Sequence, residues 1–311
     1  MRFSPRRIRR RLSLAPLAAV LAVAGVSAAK AGEYTKTYPI SGRVEVRIRT
    51  DDGNVRVVTS DQDQVEFRVK YDVSPWRLGF SSDPHVDSDM KGHVVELNAR
   101  AGWGVGIGIG GRSMAIEVRM PKDADLQLET VDGRVDVASL DGHVVAHSVD
   151  GGIHVSQLTG TLDIRSTDGA ITASSLKGDV KLQTVDGSIS GSNLDGACVA
   201  STKDGAVHVS GRFDSLDLRT GDGMVVARAE SGSRMASPWR IQSVDGAVRV
   251  ALPSDLKANL DASTSNGHIN VDLPIEARGT VSKTEFHGLL NGGGPAVMVQ
   301  TADGSIDLSH L

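Results

Sequence analysis

The stretch LDIRSTDGAITASSLKGDVKLQTVDGSISGS, residues 162–192, contains the same short pattern twice. STDGAI returns as TVDGSI, and Asp168 precedes Asp186 by eighteen residues. The Asp-Gly pair recurs at the same step over six consecutive units. The aspartates of these units are Asp132, Asp150, Asp168, Asp186, Asp204 and Asp222. A strict repeat of this length indicates one small structural unit stacked on copies of itself.

Apolar and hydroxyl side chains hold constant positions around each Asp-Gly pair. Three residues after the Asp stands Val or Ile, and four residues before it stands Ile, Leu, Val or Ala. Two residues before it stands Ser or Thr in every unit. The series continues with looser spacing at Asp52, Asp245, Asn266 and Asp303. The residues between the apolar positions are mostly polar, and alternation with a period of two predicts strands with one buried face.

A second, weaker turn follows about nine residues after each Asp, for example at Gly160 and Gly178. Each unit is therefore two short strands and two turns. We predict an all-β fold, a parallel β-solenoid with coils of about 18 residues that stack about 4.8 Å apart. An antiparallel β-sandwich is the alternative, although its hairpins have no reason to keep a constant length.

The corner residues have predicted roles in this architecture. Glycine is expected to supply a positive φ in the tight turn, and the Asp side chain to bond to turn amides. The Ser/Thr side chains are expected to bond along the stack or to the same amides.

Residues 1–31 have the composition of a signal peptide. An arginine-rich start precedes an apolar run over residues 12–26, and Ala29-Lys30-Ala31 resembles a cleavage site. A signal anchor is the alternative. Residues 32–125 are predicted to form an N-terminal capping part with one regular coil and loop insertions.

Residues 126–311 are predicted to form the β-solenoid repeats, with an insertion at about residues 274–296. The chain ends just after the last repeat. We therefore expect the final coil to lie at the end of the stack, where its edge needs cover from the insertion or from a partner.

The charge balance excludes some partner classes. The predicted leader carries seven Lys or Arg residues and no acid, so its removal takes the net charge from −4 to −11. Such an acidic surface argues against nucleic acid and against anionic lipid as partners. Cys198 is the only cysteine, so no internal disulfide forms. It occupies an inward column, which predicts an inert core thiol.

No catalytic residue, cofactor or firm metal site is predicted. Stacked aspartates could attract a cation, and six of them are weak calcium candidates. These candidates are Asp132, Asp150, Asp168, Asp186, Asp204 and Asp222. Two carboxylates per site fall short of the six to eight oxygens that calcium prefers. The expected role of these side chains is therefore turn formation.

Two further features resemble parts of functional sites. The register would bring Asp136 beside His154 and Ser190 beside His208, but these pairs lie on a solvated face with no third orienting residue. The glycine-rich run GVGIGIGG, residues 104–111, lacks the strand-loop-helix context of a nucleotide-binding loop. With Trp103 it forms a loop, residues 103–111, through which we allow contact with a membrane or partner.

Several motifs together resemble the bacterial putative-adhesin domain family, an exported β-strand-repeat domain of unknown function. They are the TVDG units, the closing LNGGGPAVMVQTADGSIDL, residues 290–308, and MAIEVRMPKDADLQLETVDGRVDV, residues 114–137. The resemblance covers residues 40–311. It implies a β-solenoid of the cell envelope or surface without known catalysis, and it carries no binding residues to transfer.

The expected function is that of a non-catalytic, exported cell-envelope protein, structural or adhesin-like, that presents a surface to a protein or a glycan. An envelope ligand- or calcium-binding sensor component is the alternative. The expected partner is an envelope protein or a surface glycan. The expected location is the periplasm, the outer surface or the medium.

Overall fold

A computed structural model of the protein describes residues 30–73, 77–81, 84–102, 104–108, 112–277 and 282–311. Over these ranges the chain forms 26 strands and no α-helix. Within the same ranges, nothing has the helical length and apolarity that a membrane span would require. The predicted leader lies outside the described residues except for Lys30 and Ala31, which begin the first strand.

The strands fall into three groups along the chain. The first group is β1 (Lys30–Pro39), β2 (Val44–Thr50), β3 (Asn54–Ser60), β4 (Gln64–Val73), β5 (Arg77–Ser81), β6 (His85–Lys91), β7 (Val94–Arg100), β8 (Gly104–Gly108) and β9 (Arg112–Pro121). The central group is β10 (Ala124–Glu129), β11 (Val135–Ala138), β12 (Asp141–His147), β13 (Ile153–Ser156), β14 (Thr159–Arg165), β15 (Ile171–Gln183), β16 (Ile189–Ser201), β17 (Val207–Thr220) and β18 (Val225–Ala229). The last group is β19 (Trp239–Ser243), β20 (Val248–Leu252), β21 (Ala258–Asn266), β22 (Ile269–Asp272), β23 (Ile275–Ala277), β24 (Glu285–Leu290), β25 (Ala296–Asp303) and β26 (Ile306–His310).

Strands β5 and β8 form a separate two-stranded sheet. The other strands form two faces, and the long strands β15, β16 and β17 run from one face to the other. The first face has the order β6-β7-β2-β10-β12-β14-β15-β16-β17-β19-β25-β21-β24-β23. The second face has the order β1-β4-β9-β3-β11-β13-β15-β16-β17-β18-β20-β26-β22.

The repeats pair in parallel with a register of one unit. Ile153 lies beside Ile171, and Ile171 beside Ile189. This confirms the predicted β-solenoid, and the antiparallel sandwich is wrong for the repeats. In the described ranges, antiparallel pairing involves only flanking strands such as β1, β4, β6 and β24.

The two apolar columns are buried, as predicted. In the central coils, the residues three after the Asp, from Val135 to Val225, are at most 1% exposed. The residues four before the Asp, from Leu128 to Leu218, are likewise buried at 0% exposure. The inward side chains of both faces belong to one continuous apolar cluster. Burial of this stripe is the main force that holds coil on coil.

The order of coils at the C-terminal end differs from the prediction. The last coil, β25 and β26, lies between the coil of β19 and β20 and the coil of β21 and β22. The expectation that the last coil ends the stack is therefore wrong. Strand β24 of the predicted insertion pairs antiparallel with β21. A strand can add in this way only at an open edge, so the coil that β24 covers is the terminal one.

The N-terminal end is also out of chain order. The coil of β2 and β3 lies between β10 and β11 on one side and β7 and β9 on the other. The loop insertions predicted within residues 32–125 include β-structure: β5 and β8 pair with each other, and β6 pairs with β7. Strands β4 and β1 extend the second face antiparallel beyond β9, and β6 does the same on the first face beyond β7. Tyr34 and Tyr38 of β1 both hydrogen-bond through their hydroxyls to Ser88 Oγ of β6, at 2.6 and 2.7 Å.

Candidate functional site at the Asp-Gly corners

The Asp-Gly corners are held by a ladder of buried hydroxyl groups. The Gly169 N–H donates to Ser166 Oγ at 3.1 Å, and this hydroxyl donates to the Gly151 carbonyl of the preceding coil at 3.3 Å. Thr184 and Thr202 repeat both bonds. The ten Ser and Thr side chains of this column are only 5–7% exposed. The expected bonding along the stack and to the turn amides is confirmed.

The predicted positive φ is found at Gly53 and Gly133, with φ of 117° and 99°, but glycine is needed for another reason at the later corners. Gly151, Gly169, Gly187, Gly205 and Gly223 do not adopt a positive φ. A Cβ atom at Gly169 would instead lie 2.1 Å from the Gly151 carbonyl oxygen. Backbone on backbone packing between coils therefore excludes any side chain at this position.

Positive φ is found at the other turn of the coil. In the central coils it occurs seven residues after the Asp, at Ser139, Gln157, Ser175 and Asn193, with φ between 53° and 62°. It also occurs at the glycines of the same turn, Gly160, Gly178 and Gly196, with φ between 119° and 129°. These side chains pair between coils: Ser139 Oγ donates to Gln157 Oε1 at 2.9 Å, and Asn193 Nδ2 donates to Ser175 Oγ at 3.1 Å.

The six corner aspartates lie exposed in one row. Their backbone N–H groups are bonded to the preceding coil, as in the 2.9 Å bond from Asp168 N to the Val149 carbonyl. Of the six carboxylates, Asp132 alone accepts a backbone N–H, from Gly133. The predicted bond from the Asp side chain to the turn amides is therefore not general, and most of these carboxylates face solvent.

The row of like charges has an electrostatic consequence. Desolvation, together with repulsion from the Asp150 and Asp186 carboxylates, raises the pKa of Asp168 above its ordinary value. In the described part of the chain, no group of three or more His, Cys, Asp or Glu side chains is placed to hold a metal ion. The six aspartates stay weak calcium candidates.

An apolar column runs directly beside the aspartates. Val131, Val149, Thr167 and Val185 precede the Asp in four consecutive coils, and we call them the corner ridge. The three valines are 48%, 42% and 41% exposed, and Val244 at the equivalent position farther along is 54% exposed. Sequence reasoning missed this ridge. Each of these residues directly follows a buried Ser or Thr, and successive strand residues point to opposite sides. The sequence therefore already indicated that the ridge residues point outward.

At the two other predicted sites, both within the described part of the chain, the paired side chains lie side by side but do not hydrogen-bond to each other. Asp136 lies beside His154 as expected, but its carboxylate accepts from Arg134 Nε at 3.0 Å. Ser190 lies beside His208, and across the described residues no hydrogen bond joins the two side chains. Burial raises the pKa of Cys198 to about 12, as expected for an inert thiol.

The predicted contact loop, residues 103–111, is described only in part. Residues 104–108 form β8, which pairs antiparallel with β5. Residues 103 and 109–111 lie outside the described residues. Membrane contact through this segment stays a prediction.

Comparisons with known proteins agree with the resemblance found in the sequence. The model of the Toastrack DUF4097 family matches residues 44–309. Among curated proteins, none matches the chain.

Among solved structures, the chain is similar to a putative adhesin from Parabacteroides merdae, at 13% identity and a TM-score of 0.40, covering 89% of this chain and 95% of that one. A putative adhesin from Bacteroides fragilis is 11% identical with a TM-score of 0.34, covering 90% and 97% of the two chains. A putative cell adhesion protein from Clostridium sporogenes is 9% identical with a TM-score of 0.27, covering 91% and 100%.

Proposed function

The chain belongs to the Toastrack DUF4097 family, and from this premise we propose that it is a non-catalytic, exported protein of the cell envelope with an adhesin-like role. In this proposal the protein is a rigid stack that presents its outer surface to an envelope protein or a surface glycan. The signal-peptide composition of residues 1–31 supports export to the periplasm or the cell surface.

The observation that carries the proposal is the corner ridge. Exposed apolar side chains are common singly on soluble proteins, but here three valines and the threonine methyl group of Thr167 align over four consecutive coils, and such an aligned patch is typical of contact surfaces. The line is rigid, because the Val131, Val149 and Thr167 carbonyls each accept the N–H of the Asp in the next coil, at 2.8 to 3.0 Å. A rigid line of repeated contacts loses little conformational entropy on binding.

The experiment measures binding of the purified protein to immobilised envelope polysaccharides and envelope proteins. We expect binding to at least one of them, and we expect Val131→Ser, Val149→Ser and Val185→Ser combined to weaken it about tenfold or more. Val199→Ser is the matched control, since Val199 is 38% exposed but lies outside the ridge. The proposal would be contradicted if the triple valine variant bound as tightly as the wild type, or if the protein chemically converted the bound ligand.

An envelope sensor component that binds calcium is the second candidate. The row of Asp150, Asp168 and Asp186 is the observation that favours it, since desolvation and then the two neighbouring carboxylates raise the pKa of Asp168. Specific calcium binding would raise the melting temperature, because a ligand that binds only the folded state stabilises it. A calcium-dependent rise in the wild type that is absent in Asp168→Asn would support the sensor, and no rise in the wild type would reject it.

A further inference from the structure

A second surface lies on the outer side of the second face, near its N-terminal end. Strands β4, β9, β3 and β11 are neighbours there. They line an open cleft of about 300 Å³, within the size range of small-ligand sites. Lys70, Ala115 and Asn54 follow one another across three strands, and Arg68, Glu117 and Arg56 form the next row. Ala115 has a short side chain, so the cleft remains open between the longer ones.

Cationic groups on this cleft outnumber their acceptors. Arg134 bonds to Asp136, and Arg68 forms an ion pair with Glu66 at 3.2 Å. Arg56 and Lys70 also line the cleft, and within the described ranges neither side chain makes a hydrogen bond or an ion pair. They stand two strands apart, which corresponds to roughly 10 Å. Two positive charges are therefore uncompensated on one small surface.

Two further donors lack acceptors at the same place. Arg68 Nε is buried from water without a hydrogen-bond partner, and the Glu33 carboxylate oxygen lies 3.6 Å from it. Asn54 Oδ1 accepts the Arg134 N–H at 2.9 Å, which leaves the Asn54 amide N–H groups for a ligand. The exposed Asn54 amide can find its acceptor in water or in a ligand, whereas Arg68 Nε is shielded and faces the Glu33 carboxylate.

The uncompensated positive charge of the cleft restricts the kind of ligand it can bind, because the rest of the protein is acidic. Without the predicted leader the chain carries a net charge of −11. This net charge repels an anionic ligand at long range, so such a ligand must be held by short-range contacts within the cleft. Glu117 and Asp136 also line the cleft. Carboxylates repel a phosphate dianion, but they accept hydrogen bonds from hydroxyl groups.

The ligand that fits this combination carries one negative charge per unit and several hydroxyls. Arginine and lysine bind a carboxylate, the Asn54 amide donates to a ring or hydroxyl oxygen, and Glu117 accepts from a hydroxyl. We propose that the cleft lined by Arg56, Lys70 and Asn54 binds the carboxylated sugar units of an acidic polysaccharide. The inference rests on the proposed contact function but uses a surface distinct from the corner ridge.

The test is calorimetric titration of the full chain with an oligomer of galacturonic acid. Its methyl ester, which has the same hydroxyls and no charge, and inorganic phosphate serve as comparison ligands. We expect binding of the acid, weak binding of the ester and of phosphate, and a loss of at least about tenfold in affinity in Arg56→Ala combined with Lys70→Ala.

The matched control is Arg249→Ala combined with Lys177→Ala. It removes the same charge from exposed positions on other parts of the stack, so it should bind as the wild type does. Equal affinity for acid and ester, equal or tighter binding of phosphate, or equal losses in both double variants would overturn the proposal. If the acid fails to bind while the corner ridge still supports envelope binding, the cleft inference falls and the proposed function stands.

Discussion

At the scale of single residues, the corner glycines are a steric requirement of stacking. Gly169 has no positive φ, and the carbonyl of the coil below occupies the space that a side chain would need. Its replacement must push two coils apart at the point where the hydroxyl ladder joins them. The eighteen-residue step in the sequence thus marks the positions of closest approach between coils.

We therefore predict that Gly169→Ala destabilises the protein by about 3 kcal/mol, because the added Cβ would lie 2.1 Å from the Gly151 carbonyl oxygen. Gly152→Ala is the control, since the nearest atom to its Cβ would be 3.5 Å away and the equivalent residue in the next coil is Ala170. The midpoints of urea-induced unfolding, measured by circular dichroism, compare the stability of the two variants. Equal midpoints would remove the steric explanation.

The charge of Asp168 should act on stability with a definite sign. Its pKa is raised in the folded protein, so the folded state is favoured at pH below the ordinary value of 3.8 and loses stability as the pH rises through the raised pKa. Asp168→Asn should therefore raise the melting temperature at neutral pH and change it little at about pH 2.5.

For Asp125 the pKa is lowered in the folded protein, so the corresponding substitution should change stability in the opposite direction. Hydrogen bonding to Arg43 lowers the pKa of Asp125, so its ionised form stabilises the folded state above the ordinary pKa. Asp125→Asn should lower the melting temperature at neutral pH, and the difference should fade in acid. The same sign of change for both variants at neutral pH would contradict the electrostatic account.

At the scale of strands, the two ends of the stack are interlocked. Strand β26 lies between β20 and β22, so the C-terminal strand is an interior member of the second face. Strand β22 has β26 as its only strand partner among the described residues. The coil of β21 and β22 precedes the last coil in the chain but depends on it for its place in the stack.

A chain that ends at residue 295 should consequently lose more than one coil. Without β25 and β26, the inward side chains of β21 lose the coil against which they pack, and the edge of β20 is left open. We expect rapid proteolysis within residues 253–274 and a lower melting temperature. Removal of residues 310–311 alone is the control, and it should change neither the rate of proteolysis nor the melting temperature. Protease resistance of residues 253–274 in the longer truncation would show that this coil is held in another way.

At the scale of the whole molecule, the central coils are interchangeable. Deletion of residues 150–167 joins Val149 to Asp168 and restores the same register, because each coil contacts its neighbours through equivalent positions. We predict a cooperatively melting protein with a modest loss of stability. Deletion of residues 150–158 exchanges the two kinds of corner in all later coils and should prevent folding. Circular dichroism melting decides between them, and the reverse order of stability would contradict the stacked architecture.

The sequence by itself determined the solenoid, its register and its buried columns. Val135, Ile153 and Ile171 could be assigned to the core without coordinates, because a period of two within a period of eighteen has one consistent parallel stacking. The buried role of Ser166 and Thr184 followed from the same alignment. The exposure of Val149 and Val185 follows from the same alignment, although the corner ridge that they form was not recognised from the sequence.

Only the tertiary structure decided the order of the terminal coils and the location of the cationic cleft. All coils present nearly the same apolar pattern, so the sequence pattern permits any coil to stack on any other. The choice depends on which strands cover the open edges, as β24 covers β21 and β4 covers β9. Lys70 and Arg56 lie on strands that meet only through β9, which is distant from both in the chain. Their proximity comes from the capping of the stack, and local periodicity contains no information about that pairing.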